Sequence, residues 1–183
     1  MHLPVPSRLR PILFLLSLSL LLSIASAQNQ TQAKTYMNLT AITGRDGESV
    51  LECWEVGPLV TSAVPGTAGA AALFLGDMSN ATYTVIPPRF DGGEHVAPAL
   101  QVVFFVSGLV HVTIPNRTEE AWVQGGKYGL VIAADTADVS RYGHRSVYPG
   151  NEATVALQVP VKGELKHSVL HRGVCEWEEM VGL

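Results

Sequence analysis

The chain has 183 residues, 47% hydrophobic and only 15% charged, with a formal net charge of −4. That length fits one domain, and an acidic chain without basic clusters is a poor match for nucleic acid or an anionic membrane surface.

In chain order, the first segment reads as an address rather than part of a fold. Arg8 and Arg10 form a short basic region, Ile12 to Ile24 is an apolar run broken only by Ser, and Ala25-Ser26-Ala27 is a small-residue cleavage site. This is the pattern of a secretory signal peptide over residues 1–27, and the apolar run falls short of the ~20 residues a membrane span needs. Cleavage leaves 183 − 27 = 156 residues and, with Arg8 and Arg10 gone, 10 basic against 16 acidic groups. The expected location is the secretory lumen or the outside of the cell, with no membrane contact after cleavage.

Residues 28–48 are polar and without hydrophobic period, so they read as an extended arm preceding a domain at 49–183. Asn-x-Thr sequons occur at Asn29, Asn38, Asn80 and Asn116. Behind a signal peptide they predict a glycoprotein, each site lying on exposed chain.

From Ser49 onward, short apolar runs alternate with turn residues. Strands are predicted at Ser49–Val56, Ala71–Leu75, Tyr83–Ile86, Leu100–Val106, Leu109–Ile114, Ala121–Val123, Leu130–Ala134, Arg145–Tyr148, Thr154–Val159 and Ser168–His171. Pro65-Gly66, Pro87-Pro88, Gly92-Gly93, Ser107-Gly108, Pro115-Asn116, Gly125-Gly126 and Pro149-Gly150-Asn151 punctuate them. No long segment carries a 3.6-residue period, and Gly69 weakens a helical turn over Thr67–Leu75. Many short strands with frequent turns predict an all-β sandwich or barrel. Leu100–Val106 is apolar on both faces, so both faces should be covered. Cys53 and Cys175 stand near the two ends of the domain; in an oxidising compartment they are expected to form one structural disulfide. A catalytic thiol is the weaker reading, since His171 is the only histidine near either one in sequence.

The most informative stretch is His95-Val-Ala97-Pro98-Ala-Leu-Gln101-Val-Val-Phe-Phe105-Val-Ser-Gly108. Its spacing, His-x-Ala-x3-Gln-x6-Gly, resembles the first motif of the cupin superfamily, His-x-His-x3-Glu-x6-Gly, with Ala97 and Gln101 replacing two of the ligands. Gly125-Gly126, Asp135-Thr136-Ala137-Asp138 and Tyr142-Gly143-His144 resemble the second cupin motif more loosely. The likeness covers about Pro87 to Val161 and implies a cupin-type double-stranded β-helix, a jelly-roll barrel with its site inside. Such barrels commonly dimerise through sheet edges, so a homodimer is expected.

In an extended segment His95, Ala97 and Gln101 share one face by parity, continued by Val103 and Phe105. The resemblance makes that face the lumen. Two readings of the site stand open. One is a divalent transition metal, weakly held by His95, Gln101 and His144, with Asp135 or Asp138 swinging in; a neutral amide is a poor substitute for a carboxylate ligand. The other uses no cofactor. His95 or His144 would be the general acid or base, Gln101 would orient a substrate carbonyl or hydroxyl, Phe105 and Asp135 would line the site, and Tyr142 or Arg145 would hold an anionic or phenolic group at its mouth. Either reading implies a small-molecule partner. The metal-free one suits isomerisation, cyclisation, dehydration or decarboxylation, and similar single-domain cupins of fungi are associated with secondary-metabolite pathways. The alternative is a binding glycoprotein without chemistry. His111, His167 and His171 read as ordinary strand residues, and the three tryptophans as packing.

Overall fold

A computed structural model of the chain describes residues 36–180. The signal segment, Asn29 and the first part of the polar arm lie outside the described residues. The strands are β1 (Met37–Arg45), β2 (Glu48–Val56), β3 (Val60–Thr61), β4 (Ala71–Ala72), β5 (Asp77–Met78), β6 (Thr82–Ile86), β7 (Phe90–His95), β8 (Gln101–Ser107), β9 (Leu109–Thr113), β10 (Glu120–Gln124), β11 (Leu130–Ala133), β12 (His144–Tyr148), β13 (Thr154–Lys162) and β14 (His167–Arg172). One helical turn, α1 (Trp177–Met180), follows.

Two sheets make the sandwich. The large one runs β14-β2-β1-β11-β8-β13-β5, with β6 also on β13; the small one runs β10-β9-β12-β7. From β6 to β8, and again from β10 to β13, successive strands alternate between the sheets, which is the winding of a cupin-like jelly roll. Pairing is antiparallel throughout the two sheets except for β1 on β11. The all-β architecture inferred from the turn spacing is the architecture that forms.

Alternation along each strand sorts side chains between two cores. Ile42, Leu51, Val103, Phe105, Val131 and Ala133 of the large sheet meet Val110, Val112, Ala121 and Val123 of the small one. On the other face of the large sheet Leu39, Ala41, Trp54, Val56, Val102 and Ile132 form a second core, closed by Leu73, Leu75 and Leu165 from connecting chain. Covering both faces explains why β8 and β11 are nearly continuous apolar runs. Each Val, Leu or Ile so buried contributes ~1.5–3 kcal/mol.

The reading of residues 28–48 as an arm fails for its second half. β1 lies between β2 and β11, and Leu39, Thr40, Ala41 and Ile42 are buried. The strand escapes pattern reading because both faces are covered and threonines stand among its apolar residues, so no alternation shows. β7 was also missed. Its sequence, Phe-Asp-Gly-Gly-Glu-His, has no apolar period because it is the small sheet's edge strand and mostly exposed. The predicted Ala71–Leu75 strand shrinks to two residues, and residues 65–69 form turns rather than a helix.

Cys53 and Cys175 are disulfide-bonded, with Cα atoms 4.6 Å apart. Asn80 and Asn116 occupy exposed turns with φ of 58° and 60°. Asn38 departs from the exposed-chain expectation: it is half-buried in β1 and its amide donates to the Glu179 carbonyl at 3.1 Å.

Candidate functional site

The motif does not run along one strand. β7 ends at His95, Ala97 makes an isolated bridge to Thr136, and β8 begins at Gln101. The chain crosses from the small sheet to the large one within six residues, so His95 and Gln101 reach the interior from different sheets. Parity governs only within β8, where Gln101, Val103 and Phe105 do line one cavity.

That cavity has a volume of about 90 Å³ between the sheets. Its polar lining is His95, Gln101, His144, Ser146, Tyr148 and Gln158; its apolar walls include Ile86, Phe105, Val112 and Val131. β12 brings His144 into register opposite His95 of β7, and the two ring centroids lie 4.5 Å apart. Gly143 makes this approach feasible. Its φ is +70°, and a Cβ there would stand 1.9 Å from the His95 carbonyl oxygen, so the position admits only glycine.

Behind His144 lies a chain of hydrogen bonds that sets its tautomer. His144 Nδ1 is 2.8 Å from Asp135 Oδ2, and Ser49 Oγ donates to the same oxygen at 2.7 Å. Ser49 Oγ is also 2.7 Å from Ser140 Oγ, which accepts from the Gly143 amide at 3.0 Å. Since the single Ser49 proton is committed to Asp135, Ser140 donates to Ser49. The carboxylate therefore receives Nδ1–H of His144, which leaves Nε2 as the nitrogen available to a ligand. Asp135 is fully buried and His144 nearly so, at 0% and 6% side-chain exposure. The second oxygen, Oδ1, is buried without a hydrogen-bond partner.

Four of the residues singled out in the sequence thus meet in the cavity: His95, Gln101, Phe105 and His144. Asp135 does not line it; it stands behind His144 as an orienting group. Tyr142 and Arg145 are not brought to it. Tyr142 is half-exposed in the turn before β12. Arg145 follows His144 on an extended strand and so projects from the opposite face, where it pairs with Asp91. That pairing holds the Asp91 carboxyl below its usual range and the guanidinium above its own, by the hydrogen bond between them.

Two residues were legible but overlooked: Ser146 and Tyr148 share the face of His144 by the same parity. Burial pushes the Tyr148 phenol up from its ordinary 10.0, against a lowering hydrogen bond to Ser146, so at working pH it is a neutral donor. Gln158, Ser49 and Ser140 carried no local signal.

The donor set does not fit a resident divalent metal. It offers two imidazoles, two neutral amides, a hydroxyl and a phenol, with Ala97 where the resembling motif has a ligand and the nearest carboxylate turned to His144 Nδ1 and Ser49. Transition-metal sites of histidine and oxygen use at least three protein ligands, usually with a carboxylate among the hard donors. Among the described residues, only Cys53, Cys175 and Glu179 gather three ligand-type groups, and the two cysteines are joined in the disulfide.

Two larger hollows, of about 300 and 330 Å³, lie around Tyr128, Leu130 and Met180. Their described walls hold neither histidine nor carboxylate, and a third hollow of about 320 Å³ beside Leu73 and Leu165 holds Glu164 and Lys166 but no histidine, so the smaller cavity is the chemical candidate.

No family model and no curated protein matches the chain. Among solved structures, a conserved protein of unknown function from Streptococcus pyogenes is 25% identical over 46% of this chain, at a TM-score of 0.34. The match spans 64% of that protein's length. A candidate mannose-6-phosphate isomerase from Ralstonia eutropha JMP134 is 17% identical, covering 76% of this chain and 94% of its own, at a TM-score of 0.29. Both scores are low, and neither neighbour fixes a family or an activity for this chain.

Proposed function

We propose that this is a secreted, cupin-like glycoprotein enzyme whose cavity performs metal-free proton transfer on a small organic molecule. The observation that carries the reading is the buried His144–Asp135 pair, with Nδ1 tied down and Nε2 left to the cavity. A buried carboxylate behind an imidazole fixes its tautomer and faces the positive charge that builds when Nε2 takes a proton.

In the proposed step, Nε2 of His144 removes a proton from the carbon next to a substrate carbonyl. The C–H electron pair becomes the enolate π bond, and the charge moves to oxygen. Gln101 and Tyr148 are the neutral donors on the cavity wall that would meet that oxygen, at a site largely shielded from water. Returning the proton to a different carbon isomerises the substrate; if instead a β-hydroxyl takes that proton from His144 and leaves as water while the enolate electrons form the C=C bond, the substrate is dehydrated. His95, at the outer end of the cavity, is placed to pass protons to solvent. The disulfide and the exposed sequons at Asn80 and Asn116 support a secretory route, and a role in a secondary-metabolite pathway remains part of the proposal.

The direct test is exchange of carbon-bound protons into D2O, followed by proton NMR, with a panel of small enolisable ketones. The wild-type glycoprotein should accelerate exchange, and His144→Ala should remove ~10²–10⁴-fold of it. Equal rates for the wild type and His144→Ala would overturn the enzymatic reading. Saturable binding without any exchange would favour a ligand-binding protein.

A further inference from the structure

Resting on that reading of the cavity, we infer that its ligand is an uncharged hydroxy- or oxo-compound of a few heavy atoms, and that carboxylates and phosphates are excluded. Among the described residues the wall carries no Lys, Arg, Asp or Glu; its polar groups are His95, Gln101, His144, Ser146, Tyr148 and Gln158. The nearest fixed charge is Asp135, which is negative, fully buried and directly behind His144. An anion entering the cavity would give up its water, find no cation, and stand close to a carboxylate. Each of these opposes binding.

A proton on His144 would cancel the charge of Asp135 and leave the pair neutral, so it removes one opposing charge but supplies no net cation to hold an anion. Arg145, the cation nearest in sequence, lies on the other face of β12 against Asp91, with Glu94 also in its field. A cationic ligand fares no better at first contact, since no carboxylate lines the wall. Size makes a second limit. About 90 Å³ is well below the ~300 Å³ at which pockets for drug-sized ligands begin. The polar groups that remain, amide, phenol, hydroxyl and imidazole, match a ligand bearing one or two oxygens on a short carbon frame.

Three probes of similar size separate the charge classes: acetoin, which is neutral, pyruvate, which is anionic, and isobutylammonium. Each is titrated into the intact glycoprotein while the methyl resonances of Val103, Val112, Val131 and Ala133 are followed by NMR. Titrations are repeated at neutral and mildly alkaline pH, so that protonation of His95 is not mistaken for a fixed cation. Acetoin is expected to shift these resonances and to bind at least about tenfold more tightly than either charged probe. Gln158→Lys, which adds a cation to the wall, should turn the preference towards pyruvate. Pyruvate or isobutylammonium binding as tightly as acetoin in the wild type would overturn the inference. So would silence of all three probes, or shifts confined to Tyr128 and Trp177. Selective binding of acetoin with no exchange of its carbon-bound proton would leave this inference standing and sink the proposed enzymatic function.

Discussion

Two histidine–carboxylate pairs of nearly equal length serve opposite ends in this molecule. In the cavity, His144 Nδ1 meets Asp135 at 2.8 Å. Beside the disulfide, His171 Nε2 meets Glu179 at 2.9 and 3.0 Å. The difference lies on the far edge of each ring. His171 Nδ1 is 2.9 Å from the Arg172 carbonyl, so both nitrogens face acceptors, which favours the protonated ring. Its proton is raised above the ordinary 6.5, first by that carbonyl and then by Glu179. His144 has its acceptor on one edge only, and the other opens on the cavity. Distance alone therefore does not identify a chemical histidine; the unused nitrogen and the burial do. The first pair carries the proposed chemistry, and the second clasps α1 to β14.

The sharpest way to break this comparison is to take the carboxylate from the buried pair. Asp135→Asn should cut proton exchange by ~10³–10⁴-fold, because an amide no longer fixes the tautomer. Acetoin binding should persist, since Asp135 does not line the cavity. An equal loss of both would recast Asp135 as purely structural.

Second in size is removal of the disulfide beside the clasp. Cys53→Ser with Cys175→Ser reopens a loop spanning a sequence separation of 122 and should lower unfolding free energy by up to ~4–5 kcal/mol. Denaturant unfolding measures it, and an unchanged midpoint would show that the bridge adds nothing. Gly143→Ala follows. The left-handed backbone costs a side chain ~1–3 kcal/mol, and the clash with the His95 carbonyl adds to it. The variant should lose stability and separate the two cavity rings, visible as shifts in the His95 and His144 imidazole resonances.

The smallest effect belongs to the clasp itself. His171 is raised, so its contribution is complete below 6.5 and fades as pH climbs through its folded value. Glu179 is lowered, first by the Glu176 amide, so its contribution is present above 4.5 and fades as pH falls through its folded value. The clasp is therefore strongest between about 4.5 and 6.5. His171→Gln should remove the loss of amide protection in α1 as pH rises above 6.5, with proton exchange in the cavity unchanged. Both groups are surface-exposed, so global stability should scarcely move.

Parts of this comparison were legible in the sequence and parts were not. His95, Gln101, Phe105 and His144 were found by spacing, and all four line the cavity. Parity along one extended segment does not join them, because the chain turns between sheets after His95. His167 and His171, four positions apart on β14, do not share surroundings either. A register shift between Val169 and His171 sends His167 to stack on Trp54 at 3.5 Å while His171 meets Glu179. Trp122, read as packing, is largely exposed and stacks on His111 at 3.9 Å.

By itself the sequence determined the class of the fold, most of the strands, the cysteine pairing and the stretch that builds the cavity. Those follow from local rules: side-chain alternation, turn chemistry, and a sequence with only two cysteines to pair. Only the tertiary structure decided what the site contains. It placed β1 in the middle of the large sheet, set Asp135, Ser49 and Ser140 in line behind His144, and turned Arg145 outward onto Asp91. Each of these depends on which strands become neighbours and which face of a strand points inward. Contacts between residues 86 and 91 positions apart, such as Ser49 with Asp135 and with Ser140, leave no trace in any local pattern.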